Sequence, residues 1–258
     1  MWLEINDRGA VRWLTINRPE RRNAIPGDGW PELEQAFSDF GSSSQRVLVV
    51  TGAGGAFCSG ADLDPNEAVA MADVAGRHRR MRSVGAAALA LHRLAKPTIA
   101  AVDGVAAGAG MNLALGCDLV VASQRARFSE IFVRRGLSVD FGGTWLLPRI
   151  VGLQRAKELA LTGRIVEATE ALAIGLVMEL VDVDRLEARV TDIADSLLAG
   201  APVAQMFAKQ GLDRSGEVSF EEALAWEGQS QSICFATEDV LEGLAAFREK
   251  RSPDFQGR

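Results

Sequence analysis

The chain has 258 residues, 48% of them hydrophobic, which is enough to bury one large core, alone or with a helical appendage. Its 34 acidic against 28 basic side chains give a formal net charge of -6, which argues against a phosphate-binding groove for nucleic acid, since that needs a clustered excess of Lys and Arg. Three cysteines, Cys58, Cys117 and Cys234, are an odd count without metal-type spacing, so neither a zinc site nor a disulfide framework is indicated and a reducing cytoplasm fits.

The first residues, "MWLEINDR", carry Glu4, Asp7 and Arg8 where a secretory leader needs an apolar run. "VRWLTI" (11–16) and "RVLVVTG" (46–52) read as strands, and between them Trp30, Leu33, Phe37 and Phe40 recur at helical spacing behind a cap expected at Asp28. Four glycines follow within residues 52–60, and "RHRR" (77–80) reads as a solvated helix face. "PTIAAVDG" (97–104) and "DLVVAS" (118–123) are further buried strands, separated by a Gly/Ala-rich helix expected near 106–116. Lys96, Asp103, Asn112 and Asp118 interrupt the apolar stretch 94–122, so no window spans a bilayer.

Strands alternating with helices imply an α/β core with parallel pairing. From about 153 the pattern turns helical. Leu186, Val190, Ile193 and Leu197 form one apolar stripe closed by Gly200 and Pro202, Ser219 to Glu222 has the form of a capping box, and Val240, Leu244 and Phe247 form a last stripe. The expected division is a core over 1–195 and a helical region over 196–258, packed on the core or on a neighbouring subunit.

The bare stretch 52–61 after a strand admits positive φ and lets a ligand approach backbone N–H groups. It matches neither the phosphate-loop nor the dinucleotide pattern, and a purely structural turn fits it as well. A second small-residue turn, Gly104 to Gly110, opens a helix, where free N–H groups gather. Two such turns could aim two donors at one oxygen.

Four segments in order, "NRPERRNAI" (17–25), "AFCSGADL" (56–63), "AVDGVAAGAGMNLALGCDLVVAS" (101–123) and "GGTWLLPRIVG" (142–152), resemble the crotonase superfamily, the enoyl-CoA hydratase/isomerase fold, over essentially the whole chain. The resemblance implies a spiral of ββα units with a C-terminal helical trimerisation region, a homotrimer or dimer of trimers, and an acyl-CoA thioester as substrate with no metal or redox cofactor. It places the two oxyanion donors on the N–H groups of Ala61 and Ala109, and the CoA contacts on Arg22, Ala24, Asp62, Leu63 and the C-terminal Lys250. Residues 64–84 would cover the acyl pocket.

The two glutamates of the family's hydratases fall on Asn112 and Phe132, neither of which transfers a proton. Glu130 lies two residues away, on a strand or turn from which its side chain need not face the same cavity. Asp140, before a Gly-Gly-Thr turn, reads either as a helix cap or as a presented base. Isomerases of the superfamily, including the branch acting on epoxidised phenylacetyl-CoA, use one carboxylate from this loop, and "FVRRGLSVDFGGTWLLPRIVGLQRA" (132–156) is similar to that branch. The expectation is an enoyl-CoA isomerase with Asp140 as its base, the carboxyl pKa raised among Phe132, Phe141 and Trp145. The alternatives are a hydratase, a hydrolase or dehalogenase with Asp140 as nucleophile, and a non-catalytic acyl-CoA binder. A serine hydrolase lacks its nucleophile elbow, His78 and His92 lie in helical surface patterns, and Cys58 and Cys117 read as small core residues.

Overall fold

The computed structural model describes residues 1–63 and 73–258. Among these, β1 (Leu3–Arg8) and β2 (Val11–Ile16) form an antiparallel hairpin; β3 (Val47–Gly52), β4 (Thr98–Val102), β5 (Val105–Ala107), β6 (Leu119–Ser123), β7 (Arg127–Ser129), β8 (Val166–Glu167) and β9 (Glu179–Val181) follow. One sheet has the order β1-β2-β3-β4-β6-β9, parallel from β2 onward; a second, smaller one has the order β5-β7-β8. The parallel strands explain the unbroken apolar runs of the sequence, since strands covered on both faces have no polar side to alternate with. Thus Leu48, Val49 and Val50 are fully buried, as are Ile99, Ala100 and Val102.

Helix α1 (Trp30–Ser42) buries Trp30, Leu33, Phe37 and Phe40 as the spacing predicts. Its N-cap is Gly29, with no side-chain cap, so Asp28 does not play that part. Pro31 in the first turn removes one of the N–H groups a cap would satisfy. Helix α2 (Val74–His92) begins at Asp73, whose carboxylate accepts from Gly76 N, and faces inward with Val84, Ala87 and Leu91. Helix α3 (Ala109–Leu115) is wholly buried and shorter than the sequence suggests, because residues 105–107 pair with β7 as a strand. Helices α4 (Gly143–Val151), α5 (Leu153–Thr162), α6 (Ala168–Ala173) and α7 (Leu186–Leu198) follow, with β8 and β9 lying inside the stretch the pattern assigns to helices. Both strands are short, too short to show a period-2 signal.

The chain divides into two compact units: Met1–Leu94 with Thr98–Val190, and Ala95–Pro97 with Thr191–Arg258, the division falling within α7. The second unit contains α8 (Pro202–Arg214), α9 (Phe220–Cys234) and α10 (Glu238–Glu249). The capping box forms at Ser219 and Glu222 as expected. The last apolar stripe is not buried within the chain: Leu244 and Phe247 are exposed, as are Leu212 and Phe220. No helix among the described residues is long and apolar enough to cross a membrane.

Candidate active site

The glycine-rich segment leaving β3 is held against β5 by backbone pairing. Phe57 N and Cys58 N both donate to the Val105 carbonyl at 3.0 Å, and Ala107 N donates to Cys58 O at 2.9 Å. Gly60, at φ +95°, lies close against the second turn: a Cβ there would lie 2.8 Å from Ala107 O and 3.4 Å from Ala109 N. A side chain at 60 would therefore force the two turns apart.

This packing brings Ala61 and Ala109 to one place with their N–H groups unspent. Ala61 pairs with Ile25 through bonds made by its neighbours, Ile25 N to Gly60 O and Asp62 N to Ile25 O, both 2.8 Å, which turns its own N–H away from that partner. Ala109 is the first residue of α3, where no carbonyl one turn back is available to its N–H. Neither N–H donates to another described residue.

A brace holds the first donor from the N-terminal side. Arg18 pairs with the Asp62 carboxylate at 2.9 Å and donates to the Ala24 carbonyl at 2.8 Å. Asn23, fully buried at φ 58°, donates to the carbonyls of Ala53 and Ala56 and accepts from Arg18 N. Ser59 N reaches Arg22 O at 3.0 Å. Arg22, Ala24, Asp62 and Leu63 therefore lie on two adjoining segments, with Arg22 and Leu63 exposed, and the Asp62 carboxylate engaged by Arg18. Arg18 and Asn23 lie inside a segment the sequence already marks, but only their contacts with other segments of the chain reveal their part.

The acidic end of the site is built around Asn112. Its Nδ2 donates to the Asp140 main-chain carbonyl at 2.9 Å and lies 3.5 Å from Glu130 Oε2. The amide is sandwiched against α4, since a Cβ on Gly143 would fall 2.3 Å from Nδ2. Asp140 does not cap its helix: the N-cap of α4 is Gly142 and makes no side-chain bond, while Asp140 Oδ1 is buried without a partner. Desolvation lifts the Asp140 carboxyl to about 6, against the opposing charge of Arg80. Arg80 is the half-buried member of the 77–80 cluster, whose other residues are exposed; it lies four residues before buried Val84 on α2.

Glu130 is fully buried, and the side chain that the sequence leaves unplaced faces this same cluster. Its carboxyl is pushed up to about 8, chiefly by desolvation; the Asn112 amide works against that shift and the Asp140 charge adds to it. Phe132 is buried, with its ring near Gly108, at the start of α3. Phe141 is buried against Trp30, while Trp145 packs on His92 with ring centres 5.1 Å apart, so His92 is a packing partner. Cys58 and Cys117 are buried free thiols, and burial pushes the Cys58 thiol up to about 12, which makes it inert. Lys250 is exposed in the second unit, in a left-handed turn that ends α10. Of the expected acyl-pocket cover 64–84, residues 64–72 lie outside the described residues.

The sequence profile described as enoyl-CoA hydratase/isomerase matches residues 6–258. The chain belongs to that family. It is 37% identical to the short-chain-enoyl-CoA hydratase of Clostridium acetobutylicum, covering 96% of this chain and 94% of that protein. It is 35% identical to the 1,2-epoxyphenylacetyl-CoA isomerase of Escherichia coli, covering 96% of each. The crystal structure of the enoyl-CoA hydratase from Bacillus anthracis superposes with a TM-score of 0.94 over 100% of both chains at 32% identity. This hydratase/isomerase family member is accordingly an acyl-CoA enzyme of the crotonase superfamily, α/β in its core with a C-terminal helical region. Its relatives carry hydratase and isomerase names alike.

Proposed function

We propose that this enzyme is an enoyl-CoA isomerase that shifts a double bond by proton transfer through Asp140. The observation that carries the reading is the Asp140 carboxyl itself: released from capping α4, desolvated, and left with a buried oxygen that has no partner. A carboxyl lifted toward neutrality is matched to a task in which it must take a proton and give it back.

The thioester carbonyl would be received between the N–H groups of Ala61 and Ala109. Removal of a proton from C2 of a 3-enoyl-CoA sends charge along the dienolate to that oxygen, and each preorganised donor contributes roughly 2.7–4 kcal/mol to stabilising it. The protonated Asp140 then delivers the proton to C4, giving the conjugated 2-enoyl-CoA. Asn112 and Phe132, at the positions of the hydratase glutamates, hold no exchangeable carboxyl. Arg22, Ala24, Asp62, Leu63 and Lys250 are proposed contacts to CoA, and no further cofactor is called for. A homotrimer or dimer of trimers would cover the apolar residues exposed on α8, α9 and α10.

Hydration is the second reading, favoured by the second buried carboxyl at Glu130. The test follows 3-enoyl-CoA conversion to 2-enoyl-CoA beside hydration of crotonyl-CoA. Isomerisation that disappears in Asp140→Asn supports the proposal; undiminished turnover in that variant refutes it.

A further inference from the structure

The isomerase reading uses one carboxyl, yet the site contains two. We propose that Glu130 is a positioning residue for Asp140: acting through the Asn112 amide, it sets where the loop carrying the base is held. The inference rests on the assignment of Asp140 as base and adds a second acidic group to that site.

The geometry runs through one amide. Asn112 Nδ2 faces both the Asp140 carbonyl, at 2.9 Å, and Glu130 Oε2, at 3.5 Å, so the two acidic residues lie on one donor from different parts of the chain. That amide has no room to rotate away, because the backbone of Gly143 lies directly against it. The loop it holds is in a conformation with little freedom of its own: Phe141 has φ 48° and Gly142 φ 80°. A non-glycine residue in the left-handed region persists only where its surroundings hold it. Three oxygens here are buried without partners, Asn112 Oδ1, Glu130 Oε1 and Asp140 Oδ1. A fold preserves such a cluster at a cost, which is better explained by a working site than by packing alone.

The charge balance agrees with that role. Burial favours the neutral form of Glu130 up to about 8, so near neutrality an uncharged Glu130 carboxyl faces the amide that holds the Asp140 main chain, while the Asp140 carboxyl itself is ionisable. Among the described residues, the charges that act on the two carboxyls are Asp140, on the loop before α4, which acts on Glu130, and Arg80 on α2, which acts on Asp140; Arg134, four residues after Glu130, sends its guanidinium to the Thr162 carbonyl. Arg164, next to Gly163, is held between Glu158 and Glu170. When Glu130 ionises, its new negative charge opposes that of Asp140 and pulls on the shared amide.

The experiment compares the full-length enzyme with Glu130→Gln, Glu130→Ala and Asp140→Asn. kcat and KM are measured from about pH 6 to about pH 10 for 3-enoyl-CoA, with hydration of the 2-enoyl-CoA followed in the same samples so that the profile is read on whichever reaction runs. Glu130→Gln keeps the shape but cannot ionise; it is expected to stay within about 3-fold of the parent kcat at neutral pH and to lose the alkaline fall near pH 8. Glu130→Ala is expected to lose about 10-fold or more in kcat with KM changed by less than about 3-fold. An alkaline fall that persists in Glu130→Gln, or a parental kcat in Glu130→Ala, overturns the proposal. Should Glu130→Ala fail to fold, the Glu130→Gln profile decides alone. Activity retained in Asp140→Asn removes the base and with it both readings, whereas an inactive Asp140→Asn beside a Glu130→Gln profile matching the parent removes only the role of Glu130.

Discussion

Asn112 ties the two halves of the site together, its amide donating across 2.9 Å to the main-chain carbonyl of Asp140. The same short helix that opens with the Ala109 N–H therefore anchors, one turn later, the loop that presents the carboxyl. The proposed oxyanion donor and the proposed base are coupled through this bond.

Asn112→Ala is predicted to uncouple them. Loss of the buried amide leaves polar groups unsatisfied and is expected to cost about 1–3 kcal/mol of stability. The activity loss should exceed what the unfolded fraction explains, since the base is misplaced in molecules that remain folded. Urea denaturation and kcat measured on the same preparation separate the two; a fall in kcat that merely tracks the folded fraction contradicts the coupling.

Asp140→Asn is predicted to trade activity for stability. Removing a positioned base costs about 100- to 10,000-fold in rate. The stability change has a definite sign: the folded-state pKa is raised from 3.8 to about 6, so the native chain binds the proton more tightly than the unfolded chain. The ionised form thus destabilises the fold, by nothing below 3.8, increasingly between 3.8 and about 6, and by a constant amount above. The variant should gain about 1–3 kcal/mol at neutral pH, and less on acidification, by denaturant titration at several pH values. In the parent, kcat/KM should rise with pH through about 6, the range in which the free enzyme's base ionises.

Gly60→Ala is predicted to damage the donor pair. At φ +95° any side chain is strained, and the new methyl would meet Ala107 O at 2.8 Å. The expected cost is about 1–4 kcal/mol in stability. In the molecules that fold, displaced donors should lower kcat more than they raise KM, the pattern of an interaction stronger in the transition state. Parental kcat and melting temperature would contradict the close packing of the two turns.

Arg18→Met is predicted to loosen the brace behind Ala61. The variant keeps the aliphatic stem but strands the half-buried Asp62 carboxylate and removes the donor to Ala24 O, at a cost of about 1–3 kcal/mol. Binding of CoA thioesters should weaken as well, read by calorimetry, because both segments expected to contact CoA are held by this one side chain. Asp62→Asn should reproduce a smaller part of both effects.

The main strands and the glycine-rich turns are legible in the sequence because their causes are local. Residues 47–50 and 99–102 are buried on both faces, so they must be apolar throughout, and positions 52–60 must be bare where backbones meet. The capping box at Ser219 is likewise a four-residue matter. The cap of α1 misleads because Gly29 takes the N-cap position and Pro31 removes one of the N–H groups that a side-chain cap would satisfy. The first residues of the Gly/Ala-rich segment become β5 because their hydrogen bonds go to Phe57, Cys58 and β7, partners remote in sequence. The exposed stripe at Leu244 and Phe247 shows the same limit: periodicity reveals an apolar face without showing what covers it. At the site, the motifs single out Asp140, Ala61 and Ala109 as the residues proposed for base and donors. That Asp140 does not cap its helix, that Glu130 turns inward to share the Asn112 amide, and that Arg18 grips Asp62 follow only from tertiary contacts. Side-chain direction and desolvation depend on neighbours brought in by the fold, and no spacing along the chain encodes them.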